Sequence, residues 1–362
     1  MIPLTTLDSS LPRAVPRLRV MVVEDSAVIR DFLTHILNLV PDLHVVGVAH
    51  DGEQAVRMVN ECNPDIITMD IHMPGMDGFE TTRQIMETRA TPIVIVSGSS
   101  SVMESVTAFR AIAVGALAVV ARPYGIGHPE FQSTCNQLIE TLRSMAEVKV
   151  VRRWPKQGRV GAASLLATAP PPRKEVRIVA IGASTGGPGA IAAVLTALPK
   201  NLPFPLLIVQ HMCVGFMRGF CEWLALTSGL PVELAVGGEV PLPGRVYVAP
   251  DGFHMGVSSA GRIRLDDAPP ENKVRPSVAY LFRSVAETFG RHSVAILLTG
   301  MGADGARELK QVRDRGGLTI AQDLTSSIVH GMPGEAIREG AAMHVMPPDA
   351  IGAFIGRLAG IN

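Results

Sequence analysis

Short runs of β-branched and aliphatic residues recur along the chain, separated by segments whose apolar positions return every three or four residues. From Leu18, the stretches "LRVMVVED", "HVVGVAH", "DIITMD", "TPIVIVSG" and "GALAVVARP" read as buried strands. "SAVIRDFLTHILNL", "GEQAVRMVNEC", "FETTRQIMET" and "VMESVTAFRAIAV" read as the helices between them. Five βα units in this length predict a flavodoxin-like, doubly wound α/β domain. A further helix near 131–150 precedes "RRWPKQGRVGAASLLATAPPPRKE", whose Pro, Ala, Gly and basic residues give it linker composition. The alternation resumes at Val176 with "VRIVAIG", "PFPLLIVQH", "RVYVAP" and "SVAILLTG" as strands, "PGAIAAVLTAL" and "GARELKQVRDRG" as helices, and a hairpin over 254–266. A second doubly wound, mainly parallel α/β domain is expected. The boundaries read as an N-terminal extension 1–17, a first domain 18–140, a linker 141–174 and a second domain 175–362.

Composition narrows this picture only a little. A length of 362 residues suits two domains, and 33 basic residues balance 33 acidic ones, so no general attraction to nucleic acid or an anionic membrane is expected. "MIPLTTLDSSLPRAVPRL" lacks the apolar core of a secretory leader, and "AIAVGALAVVA" is too short to span a bilayer. The four cysteines, Cys62, Cys135, Cys213 and Cys221, show no CxxC spacing. A soluble cytoplasmic protein with reduced thiols, not inserted in a membrane, is expected.

Ligands of a parallel sheet bind at the carboxyl ends of its strands. In the first half those ends carry Glu24 and Asp25, then Asp70, Ser97 and Arg122. Clustered carboxylates repel one another unless a divalent cation or a chemical task offsets the cost. A carboxylate pair, an exposed Asp70, a hydroxyl and a cation suit an aspartate that accepts a phosphoryl group. "VVEDSAVIR", "PDIITMDIHMPGMDGFE" and "PIVIVSG" resemble response-regulator receiver domains. The resemblance implies Asp70 as phosphoacceptor, Mg²⁺ held by Glu24, Asp25 and Asp70 with the His72 carbonyl, and Ser97 as switch hydroxyl. The chain departs from that pattern at the fifth strand. Val119 stands where the family has an aromatic residue, and Arg122 where it has lysine. A planar guanidinium is not a compact ammonium. Phosphorylation with a weaker or altered readout, from an atypical receiver, is therefore expected.

In the second half, "IGASTGGPGA" could form a nucleotide-binding turn or a nucleophile elbow. A dinucleotide site asks for an acid ending the second strand, but that strand ends in Gln210 and His211; no lysine follows the glycines as a P-loop requires. Gly182-Ala183-Ser184-Thr185-Gly186 fits G-x-S-x-G between strand and helix. His211 is then placed as a base and Asp304, in "MGADGARELK", as the carboxylate that orients it. Gly300, Gly302 and Gly305 would let backbone amides approach an oxyanion. Cys213 is a rival nucleophile that lacks an elbow and reads as a buried thiol; Asp304 could instead cap the helix after it. His254 is expected to line the cleft and His330 to be structural, while His35 and His292 have no evident partner.

"VAIGASTGG", "VQHM", "VYVAPDGFHM", "RPSVAYLF", "LLTGMGADGA" and "GMPGEAI" together resemble the chemotaxis protein-glutamate methylesterases, the CheB family, which carry an N-terminal receiver in this arrangement. The resemblance implies Ser184 as nucleophile, His211 as base and Asp304 as orienting acid, with Met301 and Thr185 supporting the oxyanion. It implies hydrolysis of glutamate methyl esters, and deamidation of glutamines, on the cytoplasmic helices of methyl-accepting chemoreceptors. It further implies a chemotaxis sensor histidine kinase as phosphodonor, a receiver that restrains the catalytic face, and no cofactor for the esterase beyond the receiver's Mg²⁺. The rival readings are a phosphoswitched binding protein without chemistry and an esterase serving a receptor array outside motility.

Overall fold

The computed structural model describes residues 17–98, 102–148, 150 and 175–360. Residues 1–16 of the expected extension, and 149 and 151–174 of the expected linker, lie outside the described residues. The first alternation forms β1 (Leu18–Val23), α1 (Ala27–Asn38), β2 (Leu43–Ala49), α2 (Gly52–Cys62), β3 (Ile66–Met69), α3 (Gly78–Thr88), β4 (Ile93–Ser97), α4 (Val102–Val114), β5 (Ala118–Ala121) and α5 (Phe131–Ala146). Its five strands pair in parallel in the order β2-β1-β3-β4-β5, the flavodoxin-like order. β3 and β4 are buried along their whole length, as expected for strands covered by helices on both faces.

The second alternation holds β6 (Ile178–Ala183), α6 (Gly187–Thr196), β7 (Leu206–Gln210), α7 (Met217–Ser228), β8 (Val232–Leu234), β9 (Val246–Val248), β10 (His254–Val257), β11 (Ile263–Asp266), α8 (Val278–Phe289), β12 (Ser293–Leu297), α9 (Ala306–Asp314), β13 (Leu318–Gln322), α10 (Met332–Arg338), β14 (His344–Met346) and α11 (Pro348–Leu358). The seven-stranded sheet runs β14-β13-β12-β6-β7-β9-β8 with parallel pairings, and β10 and β11 form the expected antiparallel hairpin beside it. Strand order reverses between β6 and β12, because β7 follows β6 to one side while β12 and β13 lie on the other. The carboxyl ends of β6, β7 and β12 therefore surround the switch point, where a doubly wound sheet opens its ligand crevice.

The two sheets share an apolar junction. Phe109 of α4 inserts among Phe216, Phe220 and Trp223 of the α7 region, with ring centroids 6.4, 5.4 and 5.7 Å away. Phe109, Phe220 and Trp223 are all nearly inaccessible to solvent, so burial of these large rings holds the two halves together. α4 also touches α6 through Ile112, whose Cγ2 lies 3.3 Å from where a Cβ on Gly189 would sit. No helix among the described residues is long and apolar enough to cross a membrane.

Candidate active site

β6 runs fully buried into Ala183, and α6 begins at Gly187, so residues 184–186 make the whole turn. Gly186 carries it at φ +77, a conformation L side chains rarely adopt, and a Cβ there would also lie 2.6 Å from Ile328 Cβ. The Ser184 N–H donates to the Thr299 carbonyl at 3.0 Å, and the Ser184 carbonyl accepts from Gly187 N–H at 2.8 Å. Gly300 lets the loop after β12 approach closely, since a Cβ on it would lie 2.7 Å from Ser184 Cβ. The result is a serine at the mouth of the crevice, half-buried, on a turn tied to the neighbouring strand.

His211 follows the last residue of β7 and Asp304 lies in the loop between β12 and α9. His211 Nε2 and Asp304 Oδ2 are 3.0 Å apart, and both side chains are largely buried. Asp304 does not cap α9, whose N-cap is Gly305. It faces the N-terminus of α8 instead. Its carboxylate accepts from Asn272 Nδ2 (2.8 Å), Ser277 Oγ (2.9 Å), Val278 N–H (2.7 Å) and Ala279 N–H (3.3 Å). Burial pushes the Asp304 carboxyl up, but His211, Asn272 and the Val278 amide more than offset it and hold it below its ordinary value. The helix dipole favours the same charged state. No hydrogen bond joins Ser184 Oγ to His211 among the described residues.

Ser184, His211, Asp304 and Met301 line one cleft of about 1220 Å³. Its far wall is the first domain, with Val119 of β5 and Gln137, Glu140 and Ser144 of α5 facing the serine side. Ser144 Oγ lies 4.0 Å from Met301 Sδ, so α5 touches the loop that carries Met301.

The carboxylates of the first domain also converge. Ligand oxygens of Glu24, Asp25 and Asp70 all lie within 4.8 Å of one another. Glu24 is buried, and burial first, then the charge of Asp70, pushes its carboxyl up to about 7. Burial likewise raises Asp70, against donation from the Ile71 and His72 N–H groups. Ser97 ends β4 and is buried; its carbonyl accepts from Arg122 N–H at 2.8 Å. The Arg122 guanidinium lies over Gly98, where a Cβ would overlap it at 1.7 Å, and its charge opposes the rise of Glu24.

The comparisons with known proteins cover both halves. Residues 179–355 match the CheB methylesterase model and residues 20–128 the response regulator receiver domain model. The chain is 53% identical over 343 residues to a protein-glutamate methylesterase/protein-glutamine glutaminase of Nitrosospira multiformis, covering 94% of this chain and 97% of that one. It is 49% identical to one from Geobacter metallireducens, over 94% of this chain and 99% of the other. The chain belongs to the CheB methylesterase family. It is a protein-glutamate methylesterase/protein-glutamine glutaminase regulated by a response regulator receiver domain. Among solved structures, the CheB methylesterase catalytic domain of Thermotoga maritima shares 40% identity, covers 51% of this chain and 98% of its own, and superposes with a TM-score of 0.49.

Within this CheB chain, His254 and His292 depart from expectation. His254 does not line the cleft: it is 1% exposed, stacks on Tyr280 and sits behind Asp304. Its Nδ1 accepts from Ser277 N–H at 3.2 Å and its Nε2 contacts the Pro269 carbonyl at 3.1 Å, so it braces the residue that braces Asp304. His292 has a partner after all, the Glu175 carbonyl at 3.0 Å. His330 pairs with Ser327 Oγ at 3.1 Å, and burial lowers its pKa. Cys213 is buried, its thiol pushed up by burial, as an inert thiol should be. Asn272 and Ser277 escaped the sequence reading. Ser277 had a signal, as a serine opening an apolar helix, and it caps α8 at Tyr280 N–H. Asn272, held at φ 53, had none that reaches Asp304 across 32 positions.

Proposed function

We propose that Ser184 is the nucleophile of a γ-glutamyl methyl ester hydrolysis, with His211 as general base and Asp304 as its orienting acid. The contact between His211 Nε2 and Asp304 Oδ2 carries this reading, because it leaves Nδ1 as the ring nitrogen available to Ser184. The missing serine–histidine bond is no obstacle, since such bonds are often long before substrate arrives. His211 takes the Ser184 proton as Oγ bonds to the ester carbon. The tetrahedral oxyanion collapses, and the methoxide leaves as methanol with the proton that His211 returns. Water then enters by the same route and restores glutamate and the free serine. A glutamine amide would release ammonia through the same intermediates. Among the described residues, the Thr185 and Met301 N–H groups have no other acceptor, which suits them to support the oxyanion.

The substrates are the cytoplasmic helices of methyl-accepting chemoreceptors, and the enzyme works in the cytoplasm. Asp70 accepts phosphate from a chemotaxis sensor histidine kinase. The all-oxygen donor set around buried Glu24, whose carboxylate accepts from Ser26 N–H at 3.3 Å, fits Mg²⁺, held by Glu24, Asp25 and Asp70 with the His72 carbonyl. When bound, the ion supplies charge neutralisation for phosphoryl transfer. Ser97 and Arg122 form the switch pair, with a readout altered by Val119, which faces the catalytic cleft instead of carrying a swinging ring. The domains divide as 18–140 and 175–362, and the first restrains the second by walling its cleft. The test is methanol release from methylated receptor with and without a small-molecule phosphodonor. Stimulation in the wild type and none in Asp70→Asn supports the reading; equal stimulation of both overturns it.

A further inference from the structure

Gln210 ends β7 immediately before His211 and is 2% exposed. Its side-chain nitrogen donates to two backbone carbonyls, those of Ser184 and His211, each at 2.8 Å. One amide therefore joins the turn that holds the serine to the turn that holds the histidine. Its orientation is fixed by chemistry, because a flipped amide would set its oxygen against both carbonyl oxygens. Gln210 Oε1 has no hydrogen-bond partner among the described residues. A buried acceptor left unpaired is destabilising, and an apolar side chain of the same length would avoid that cost. The two donated bonds are what only the amide supplies.

The connection continues sideways. Ser184 N–H donates to the Thr299 carbonyl at 3.0 Å, and Thr299 N–H donates to Gln322 Oε1, at the end of β13, at 2.8 Å. Thr299 Oγ1 donates to the Thr185 carbonyl at 2.9 Å. A run of hydrogen bonds thus crosses the ends of β7, β6, β12 and β13, four adjacent strands, with Ser184 in the middle. Gly187 leaves room for this amide, since a Cβ there would lie 2.0 Å from Gln210 Oε1 and 2.8 Å from Ala183 Cβ.

We propose that Gln210 is a positioning residue that sets the spacing of Ser184 and His211 by clamping their two backbone carbonyls. The proposal rests on the assignment of Ser184 and His211 as nucleophile and base. A misplacement of about 1 Å is enough to cost about 100-fold in rate. The experiment uses full-length wild type, Gln210→Met, Gln210→Leu, Gln210→Ala and Ser184→Ala. Methanol release from a methylated receptor signalling fragment gives kcat and KM, and thermal unfolding reports the fold. Gln210→Met is expected to lower kcat about 100-fold with KM within about threefold and unfolding still cooperative. Gln210→Leu and Gln210→Ala, which also remove both donated bonds, are expected to lower kcat at least as far. A folded Gln210→Met with kcat within about threefold of wild type overturns the proposal. If Gln210→Met fails to fold, Gln210→Leu and Gln210→Ala decide by the same measure, and kcat within about threefold of wild type in either folded variant overturns the proposal. Turnover surviving in Ser184→Ala overturns the catalytic assignment and this proposal with it, whereas an inactive Ser184→Ala beside an unaffected Gln210→Met overturns this proposal alone.

Discussion

His211 Nε2 meets Asp304 Oδ2 at 3.0 Å, and the same carboxylate accepts Val278 N–H at 2.7 Å and Ser277 Oγ at 2.9 Å. The proposed orienting acid is thus anchored on the N-terminus of a helix remote in sequence from its own loop. Its charge serves the imidazole and the helix end together.

Asp304→Asn separates these two roles. An amide nitrogen turned toward Nε2 forces the imidazole to carry its proton on Nδ1, where it cannot receive one from serine. kcat is expected to fall by about 10³- to 10⁴-fold, the scale of losing a triad carboxylate. Loss of the charge at α8 is expected to lower stability by about 1 kcal/mol. Steady-state kinetics together with denaturant unfolding check both; wild-type kcat in the folded variant would contradict the assignment.

The aromatic junction makes a second prediction. Phe109 stacks on Trp223 with ring planes 28° apart, and the receiver side walls the cleft that holds Ser184. Phe109→Ala removes the ring that joins the halves and is expected to raise methanol release without phosphodonor while shrinking the stimulation by phosphodonor. Unchanged basal turnover would show that this contact does not restrain the catalytic domain.

Glu24 ties the acidic cluster to pH. Its folded-state pKa of about 7 exceeds the ordinary 4.5, so between those values the folded protein binds more protons than the unfolded chain. Stability from this group is therefore greatest at the acid end and falls as pH rises toward 7. Urea unfolding without Mg²⁺ at pH 5 and pH 7.5 is expected to show that loss in wild type and a smaller one in Glu24→Gln. The same ionisation is expected to tighten Mg²⁺ binding as pH passes 7 in the wild type, by titration calorimetry.

Much of this was legible in the chain because its chemistry sits at strand ends. Buried runs such as "DIITMD" and "PFPLLIVQH" mark their own termini, so the pattern alone puts Asp70 and His211 at the carboxyl ends of strands. Ser184 followed from its glycines, which only a bent backbone requires. What escaped lies in contacts between distant segments. β14, three residues at the edge of the sheet, carries little pattern of its own, and in β13 the polar Thr319 and Gln322 interrupt the apolar run although both are buried. His254 was expected at the cleft because its neighbours in sequence are; the hairpin of β10 turns it inward against Ser277 instead. Gln210 was read only as the absence of an acid, because nothing in a linear string shows one amide reaching two carbonyls 26 positions apart and next door.

The central claim is that Ser184 performs the chemistry. Methanol release from methylated receptor by Ser184→Ala, measured beside wild type at equal concentration and with the fold verified, tests it most directly. Turnover is expected to fall by several orders of magnitude, about 10⁶-fold at the scale known for serine triads, toward the residue left by binding and oxyanion support. Release that persists within about tenfold of wild type would contradict it and move the nucleophile elsewhere.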